Sequence, residues 1–322
     1  MNSLIVTTKG WDWDFLHVLK TNIIINLSIN RFEGHISSII GDLVGLRTLN
    51  LYHNGLEGII PASLHQLSVL ESLDLSSNKI GGEIPQQLAS LTFLAVLNLS
   101  HNHLIGCIPK GKQFDTFENS SYQGNDGLHG LPLSKYYGGD DGVPQATTPV
   151  ELDEEEEDLI SWQAVLMGFG CGLVIGLSII YISFRECGTI QEFKSKSLYS
   201  VDLKQNQLQG PIPKSLLDLQ GLFSLRISQN NQSGQIASTV CNLKTLRVLD
   251  LGSNHLSRTI PHCLGEMSEL ADFDLNNNCL SGTINTTFAT ENEFTIINLY
   301  GNNLQGKVPP SLINCRVWNS LI

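Results

Sequence analysis

His101 and His103 form an HxH pair four residues ahead of Cys107, the nearest approach in this chain to a metal-ligating cluster. They flank Asn102, a residue reserved below for an internal role, and side chains on either side of a turn need not converge on one ion. Seven cysteines are present, without a CxxC or Cys/His zinc spacing. Cys241, Cys263, Cys279 and Cys315 fall within a repeating pattern, as small buried thiols or as pairs. Ser, His and Asp are plentiful, yet no nucleophile elbow places them. Gly168-Phe169-Gly170-Cys171-Gly172 has the look of a phosphate loop but sits in an apolar run without a strand-to-helix context. No catalytic, cofactor-binding or metal residue is therefore assigned. Modification is better supported: Asn26, Asn98, Asn119, Asn231 and Asn285 each open an N-x-Ser/Thr sequon.

The elements that hold these residues follow from one spacing. Asparagine recurs every 24 residues at Asn30, Asn54, Asn78 and Asn102, and again at Asn206, Asn230, Asn254, Asn278 and Asn302. Each sits in one frame, as in Leu46-x-x-Leu49-x-Leu51-x-x-Asn54-x-Leu56-x-Gly58-x-Ile60-Pro61-x-x-Leu64-x-x-Leu67. A fixed period in the twenties with this pattern marks a leucine-rich-repeat solenoid. Leu49 and Leu51 alternate with Thr48, Asn50 and Tyr52, so the leucines point inward and the others outward from a short strand. The repeated asparagine falls where the chain leaves the strand. Its amide can satisfy backbone groups of the neighbouring coil that would otherwise cost about 1–3 kcal/mol each when buried unpaired. Pro61, Pro85, Pro109, Pro213 and Pro261 begin the return path, and the Gly two residues before the preceding Ile relaxes the turn. The expected fold is an α/β-type leucine-rich-repeat solenoid, with parallel strands on the concave face and 3-10 or loop segments on the convex side.

The formal net charge is −12, much of it in the run Glu151 to Asp158, which should be solvated rather than folded. Nothing is basic enough for nucleic acid. Leu159 to Phe184 carries no charge, and a helix there would be roughly 38 Å long against about 30 Å of hydrocarbon. Trp162 and Tyr181 suit its interfaces. Arg185, Lys194 and Lys196 follow it, which places the first block outside and later residues in the cytosol. Gly168, Gly172 and Gly176 would let another helix approach closely. Cys187, beside the span, is a palmitoylation candidate by position. The chain thus divides into a lead-in at 1–21, four coils at 22–115, a cap and acidic linker at 116–158, a transmembrane helix at 159–184, a basic segment at 185–197, five coils at 198–316 and a tail at 317–322. Residues 1–20 have no apolar core behind a basic start, so no signal peptide is read there.

Binding should use outward strand positions. With sugars on Asn26 and Asn98 the two middle coils stay open, which centres a partner-binding patch on Thr48, Asn50, Tyr52, His53, Ser72 and Asp74. In the second block Arg226 lies beside acidic rungs including Asp202, Asp250 and Asp274. That arrangement fits a charged peptide, or equally an ion ladder of little net worth.

Gly106-Cys107-Ile108-Pro109-Lys110-Gly111-Lys112-Gln113-Phe114, then Asn119-Ser120-Ser121-Tyr122-Gln123-Gly124-Asn125, an acidic spacer and a Gly-rich span, closely resemble the membrane-proximal end of plant receptor-like proteins of the Cf disease-resistance type. Ser3 to Gly10 looks like the end of the non-repeat island before the last four repeats of that family. Cys241-Asn242-Leu243 and Ile260-Pro261-His262-Cys263-Leu264 resemble the middle of such an ectodomain. The resemblance implies a single-pass plasma-membrane receptor of innate immunity without a kinase of its own. It would meet a receptor-like kinase as adaptor or co-receptor, with a peptide or protein of microbial origin as ligand. Three departures are the second block beyond the span, the absence of Cys from Leu128 to Tyr137, and the missing leader. They suggest the end of one receptor joined to an internal piece of another, a fusion that need not be functional. The other binding function open to such repeats is an extracellular inhibitor of microbial wall-degrading enzymes.

Overall fold

The computed structural model describes residues 23–133, 198–284, 288 and 294–311, and the backbone of 4–8, 11–15, 179–181 and 188–189. Within each coil the leucine frame closes a core. Leu46, Leu49, Leu51, Leu56, Ile60, Leu64 and Leu67 are all buried, and the equivalent residues of the other coils join them in one apolar cluster. The alternation expected from the sequence is therefore present, with Leu49 buried between half-buried Thr48 and Asn50.

The concave strands form one parallel sheet whose order departs from chain order. From one end it runs Ile179–Tyr181, Ser200–Asp202, Ser224–Arg226, Val248–Asp250, Asp272–Asp274, Ile296–Asn298, Ile23–Asn26, Leu46–Asn50, Ser72–Asp74 and Val96–Asn98. The two blocks expected to stand apart are thus one solenoid, the second stacked ahead of the first. A second parallel sheet, not foreseen from the sequence, is built from residues after each asparagine, such as Gly55–Ile59 and Lys79–Glu83. The convex side carries 3-10 turns at Ser38–Asp42, Ala62–Gln66, Gln86–Ser90, Ser238–Asn242 and His262–Glu266. Pro61, Pro85 and Pro261 precede three of them as N-caps, where a missing N–H costs nothing. The lead-in contains an antiparallel pair, Leu4–Thr8 with Trp11–Phe15.

The asparagines form the ladder inferred from their spacing. Asn78 donates to the carbonyls of Leu51 in the preceding coil and Leu75 in its own, both at 3.0 Å, and accepts from the Leu56 amide at 3.1 Å. The ladder crosses from one block to the other without a break, Asn302 being followed by Asn30.

Two boundaries change. The first block does not stop at 115: Asn125 is a further rung, donating to Leu99 and Tyr122 and accepting from Leu104, and Gly127–His129 extends the outer sheet. Its 23-residue spacing and Tyr122 in a leucine position hide this coil from a strict 24-residue frame. Ile179–Tyr181, expected at the end of a transmembrane helix, is extended and pairs with Ser200–Asp202. An apolar, β-branched run suits the outer edge of a parallel sheet as well as it suits a helix. No helix among the described residues is long and apolar enough to cross a membrane; residues 159–178 lie outside the described residues.

Candidate partner-binding face

One row of the concave sheet has a role that alternation alone does not reveal. In register across the sheet stand Asp202, Arg226, Asp250, Asp274, Asn298, Asn26, Asn50, Asp74 and Asn98. All but Arg226 use a side-chain oxygen to accept the backbone N–H two residues on, at 2.9–3.4 Å. These are Asx turns that close each strand into the bend before the ladder asparagine. Asn50 and Asp74, expected as contact residues, are thus partly occupied in holding their own coils. At the exceptional rung Ser228 instead donates its hydroxyl to Asp250 at 2.8 Å.

The remaining expected contact residues lie on the same face. Thr48 and Tyr52 are half-buried, Ser72 is buried, and His53 is exposed with a left-handed backbone at φ 53°. The Tyr52 and His53 rings are 5.5 Å apart. Beside Thr48, Arg47 and Glu71 form an ion pair between neighbouring coils.

Asn50, Ser72, Asp74, Asn98 and Ser100 form the floor of a cleft of about 610 Å³. Its opposite wall is the cap coil, with Thr116, Phe117, Glu118 and Ser121. The sequence reading missed this wall because it ended the repeats before Asn125. The cleft is polar and acidic. Burial raises Asp74 above its ordinary value, opposed by hydrogen bonds from Ser76 and Asn98. Tyr52 and His53 do not line it.

The second block presents a more charged stretch. Arg226 stands 3.9 Å from Asp202, and Lys204 is 3.4 Å from Asp250. Asp272 is raised by burial and accepts from Thr295 at 2.7 Å. Burial, with the neighbouring Asp250 carboxylate, pushes Asp274 up to about 8. Each of these cations thus stands beside a carboxylate within the sheet, the contact that the ion-ladder alternative expects.

Of the sequons, Asn119 and Asn231 are exposed, and Asn98 is half-buried in the cleft. Asn26 is 5% exposed and its Oδ1 accepts from the Ser28 hydroxyl at 2.6 Å. A sugar flanking the patch from Asn26 is incompatible with that packing. Asn285, Gly168, Gly172 and Gly176 lie outside the described residues. Cys241 and Cys263 are joined as a disulfide, Cα atoms 6.0 Å apart, while Cys279 is free and exposed. Cys107 lies 3.0 Å from His129 Nε2 rather than with His101 and His103, and no group of three metal-ligating residues occurs among the described residues.

Residues 24–80 and 44–104 match a family model described as leucine rich repeat, and residues 245–267 and 293–315 match a second model of the same description. Receptor-like protein Cf-9 of Solanum pimpinellifolium is 78% identical over 181 residues, which cover 55% of this chain and 21% of that protein. The Cf-9 homolog of Solanum lycopersicum is 79% identical over the same extent. Receptor-like protein 7 of Arabidopsis thaliana is 60% identical over 182 residues, 56% of this chain and 19% of its own length. Among solved structures, the BIR3–SERK2 complex from Arabidopsis thaliana shares 42% identity over 34% of this chain and 57% of that chain, with a TM-score of 0.32. The chain spans about a fifth of the length of the curated relatives it matches. The chain carries leucine-rich-repeat matches at residues 24–104, 245–267 and 293–315 and, over 55% of its length, is similar to the receptor-like proteins of the Cf-9 type.

Proposed function

We propose that the chain is a receptor-like protein of plant innate immunity. It acts at the plasma membrane by binding protein partners and signals through an associated receptor-like kinase rather than by catalysis of its own. The 78% identity to Cf-9 over 181 residues carries this reading. The surface that serves it is the cleft between the concave sheet and the cap coil. Its acidic and hydroxyl lining suits a basic or hydrogen-bond-donating side chain presented by a protein, and the exposed His53 with Tyr52 extends the contact beyond the cleft. A microbial peptide or protein would engage the whole receptor together with that kinase.

The test is recovery of receptor-like kinases with the tagged full chain from leaf membranes. Glu118→Lys reverses charge on an exposed residue of the cleft wall, and Tyr52→Ala removes an aromatic contact, while the Asx turns are untouched. The double variant should lower kinase recovery at least about tenfold, the cost of roughly 1.4 kcal/mol. Undiminished recovery with normal expression would reject the cleft as the contact surface. Failure of the unaltered chain to recover any kinase would reject the receptor reading itself.

A further inference from the structure

Val96–Asn98 is the last strand of the concave sheet. Beyond it the 3-10 turn Asn119–Ser121 stands in place of a further strand, and Leu99 N–H donates to the Ser121 carbonyl at 2.7 Å. Asn98 therefore borders the cleft of about 610 Å³ and is half-buried, whereas Asn26 in the same row is closed in by strands on both sides. Asn98-Leu99-Ser100 is a sequon. The Asn98 Oδ1 carries the bonds that shape the turn, from the Ser100 N–H at 3.2 Å and the Ser100 hydroxyl at 2.8 Å. Nδ2 makes a single contact among the described residues, 3.4 Å to Asp74 Oδ2, which one remaining N–H can keep. Around it the cleft presents the hydroxyls of Ser72, Thr116 and Ser121, the amide of Gln123, the carboxylate of Asp74 and the ring of Phe117. Such amides, carboxylates and hydroxyls match the donors and acceptors of a sugar ring. The volume lies in the range that holds a small-molecule ligand.

We propose that Asn98 carries an N-glycan whose innermost sugars occupy the cleft, so that glycosylation of Asn98 and docking of the kinase there exclude one another. The exclusion rests on the reading of the cleft as the kinase contact. Transfer joins Nδ2 to C1 of an oligosaccharide held on a lipid diphosphate. The C1–O bond to the diphosphate breaks, the lipid diphosphate leaves, and one amide hydrogen is lost as a proton. The reaction acts on the chain during export, before the cap coil has formed the wall opposite Asn98, so half-burial in the finished fold is no obstacle. The Asx turn survives because Oδ1 is untouched. The sugar then takes the space that a partner's side chain needs. Chains modified at Asn98 are closed to the kinase and unmodified chains are open, and occupancy of one sequon sets the fraction of receptor able to dock. The sugar expected to flank the binding patch lies inside it. Asn119 is exposed on the cap coil and outside the cleft lining, so its sugar leaves the cleft free.

The experiment uses the full chain from leaf membranes. N-glycans are released by a peptide amidase in heavy-oxygen water, which converts a glycosylated Asn98 into labelled Asp, and occupancy is read by mass spectrometry. A partner that binds only the open form should recover a pool with Asn98 occupancy at least about fivefold below that of the total chain. Equal occupancy in the two pools, or no sugar on Asn98 in the total, would overturn the proposal. A second reading needs no kinase. Glu118 is exposed and lines the cleft, so a sugar there should shield its carboxylate from a carbodiimide and amine probe. Asn98→Asp keeps the Oδ1 acceptor and places at this rung the residue of its neighbour Asp74. Ser100→Ala ends the sequon while keeping the Asn98 amide. Both variants should label at Glu118 several-fold faster than the parent, and Asn119→Gln should label as the parent does. Parent-like labelling in both sequon variants would overturn the filling of the cleft. Shielding of Glu118 without recovery of any kinase would support the sugar's place in the cleft and reject the kinase reading, and the exclusion with it.

Discussion

Asn30 donates its side-chain amide to the Leu299 carbonyl 2.9 Å away, across 269 residues of chain. It accepts in turn from the Leu304 amide at 3.0 Å. The Asn30→Ala variant takes the acceptor from the buried Leu304 amide, at a cost of about 1–3 kcal/mol, while the Leu299 carbonyl keeps its bond from the Asn302 side-chain amide at 3.1 Å. Amide exchange at Leu304 should accelerate in this variant, and the apparent melting temperature should fall. Unchanged protection at Leu304 would mean that the seam between the two blocks is not formed in solution.

Asp274 yields a prediction in pH. Its pKa in the fold is raised from the ordinary 3.8 to about 8 by burial and by Asp250. A raised folded pKa contributes stability that is fully present below the unfolded value and is lost as pH rises through the folded value. The solenoid should therefore weaken between about pH 4 and pH 8. Asp274→Asn keeps the oxygen that accepts from Asn276 and places there the residue found at the neighbouring rung, Asn298. It should flatten this slope and raise stability at pH 8 by about 1–2 kcal/mol. Parallel denaturation curves for the two proteins at pH 5 and pH 8 check both statements, and an unaltered slope would refute them.

Arg258 adopts φ 74° at the place where Gly234 and Gly282 of the adjoining coils also turn left-handed. A side chain in that region costs roughly 1–2 kcal/mol that glycine avoids. Glycine also gains freedom when unfolded, so Arg258→Gly should stabilise by a net of about 0.5–1 kcal/mol. A melting temperature equal to or below that of the parent would show that the Arg258 side chain earns its place through contacts.

Tyr122 is fully buried in the cap coil, and its hydroxyl has no hydrogen-bond partner among the described residues. Removing an unsatisfied polar atom while keeping the ring should not destabilise and should add up to about 1–2 kcal/mol. Calorimetry on Tyr122→Phe measures this. A clear loss of stability would reveal a partner such as an ordered water.

The repeat frame was legible because each of its signals has one physical cause. Leu49 and Leu51 must be inside, Asn54 must pair backbone, and Pro61 must start a segment that can spare a donor. Alternation, however, identifies a face and not a conformation. Asn50 and Asp74 lie on the predicted face, yet their oxygens are taken by the amides of Tyr52 and Ser76. The cleft was illegible for a related reason: its outer wall depends on Asn125, whose spacing departs by one residue from the frame. The order of stacking was illegible in principle. A period counted inside 198–311 says how those coils pack on one another, not that Ile297 will lie beside Ile25.

That permuted order bears on how the protein is made. Ile23–Asn30 leaves the ribosome well before the strand that covers it, Ile296–Asn298. The first block must therefore fold with an open strand edge until that strand has been made. Unpaired edges of this kind recruit other chains. The seam closes only after Ile296–Asn298 has emerged, so slow or interrupted synthesis between the two strands should favour aggregation through Ile23–Asn26.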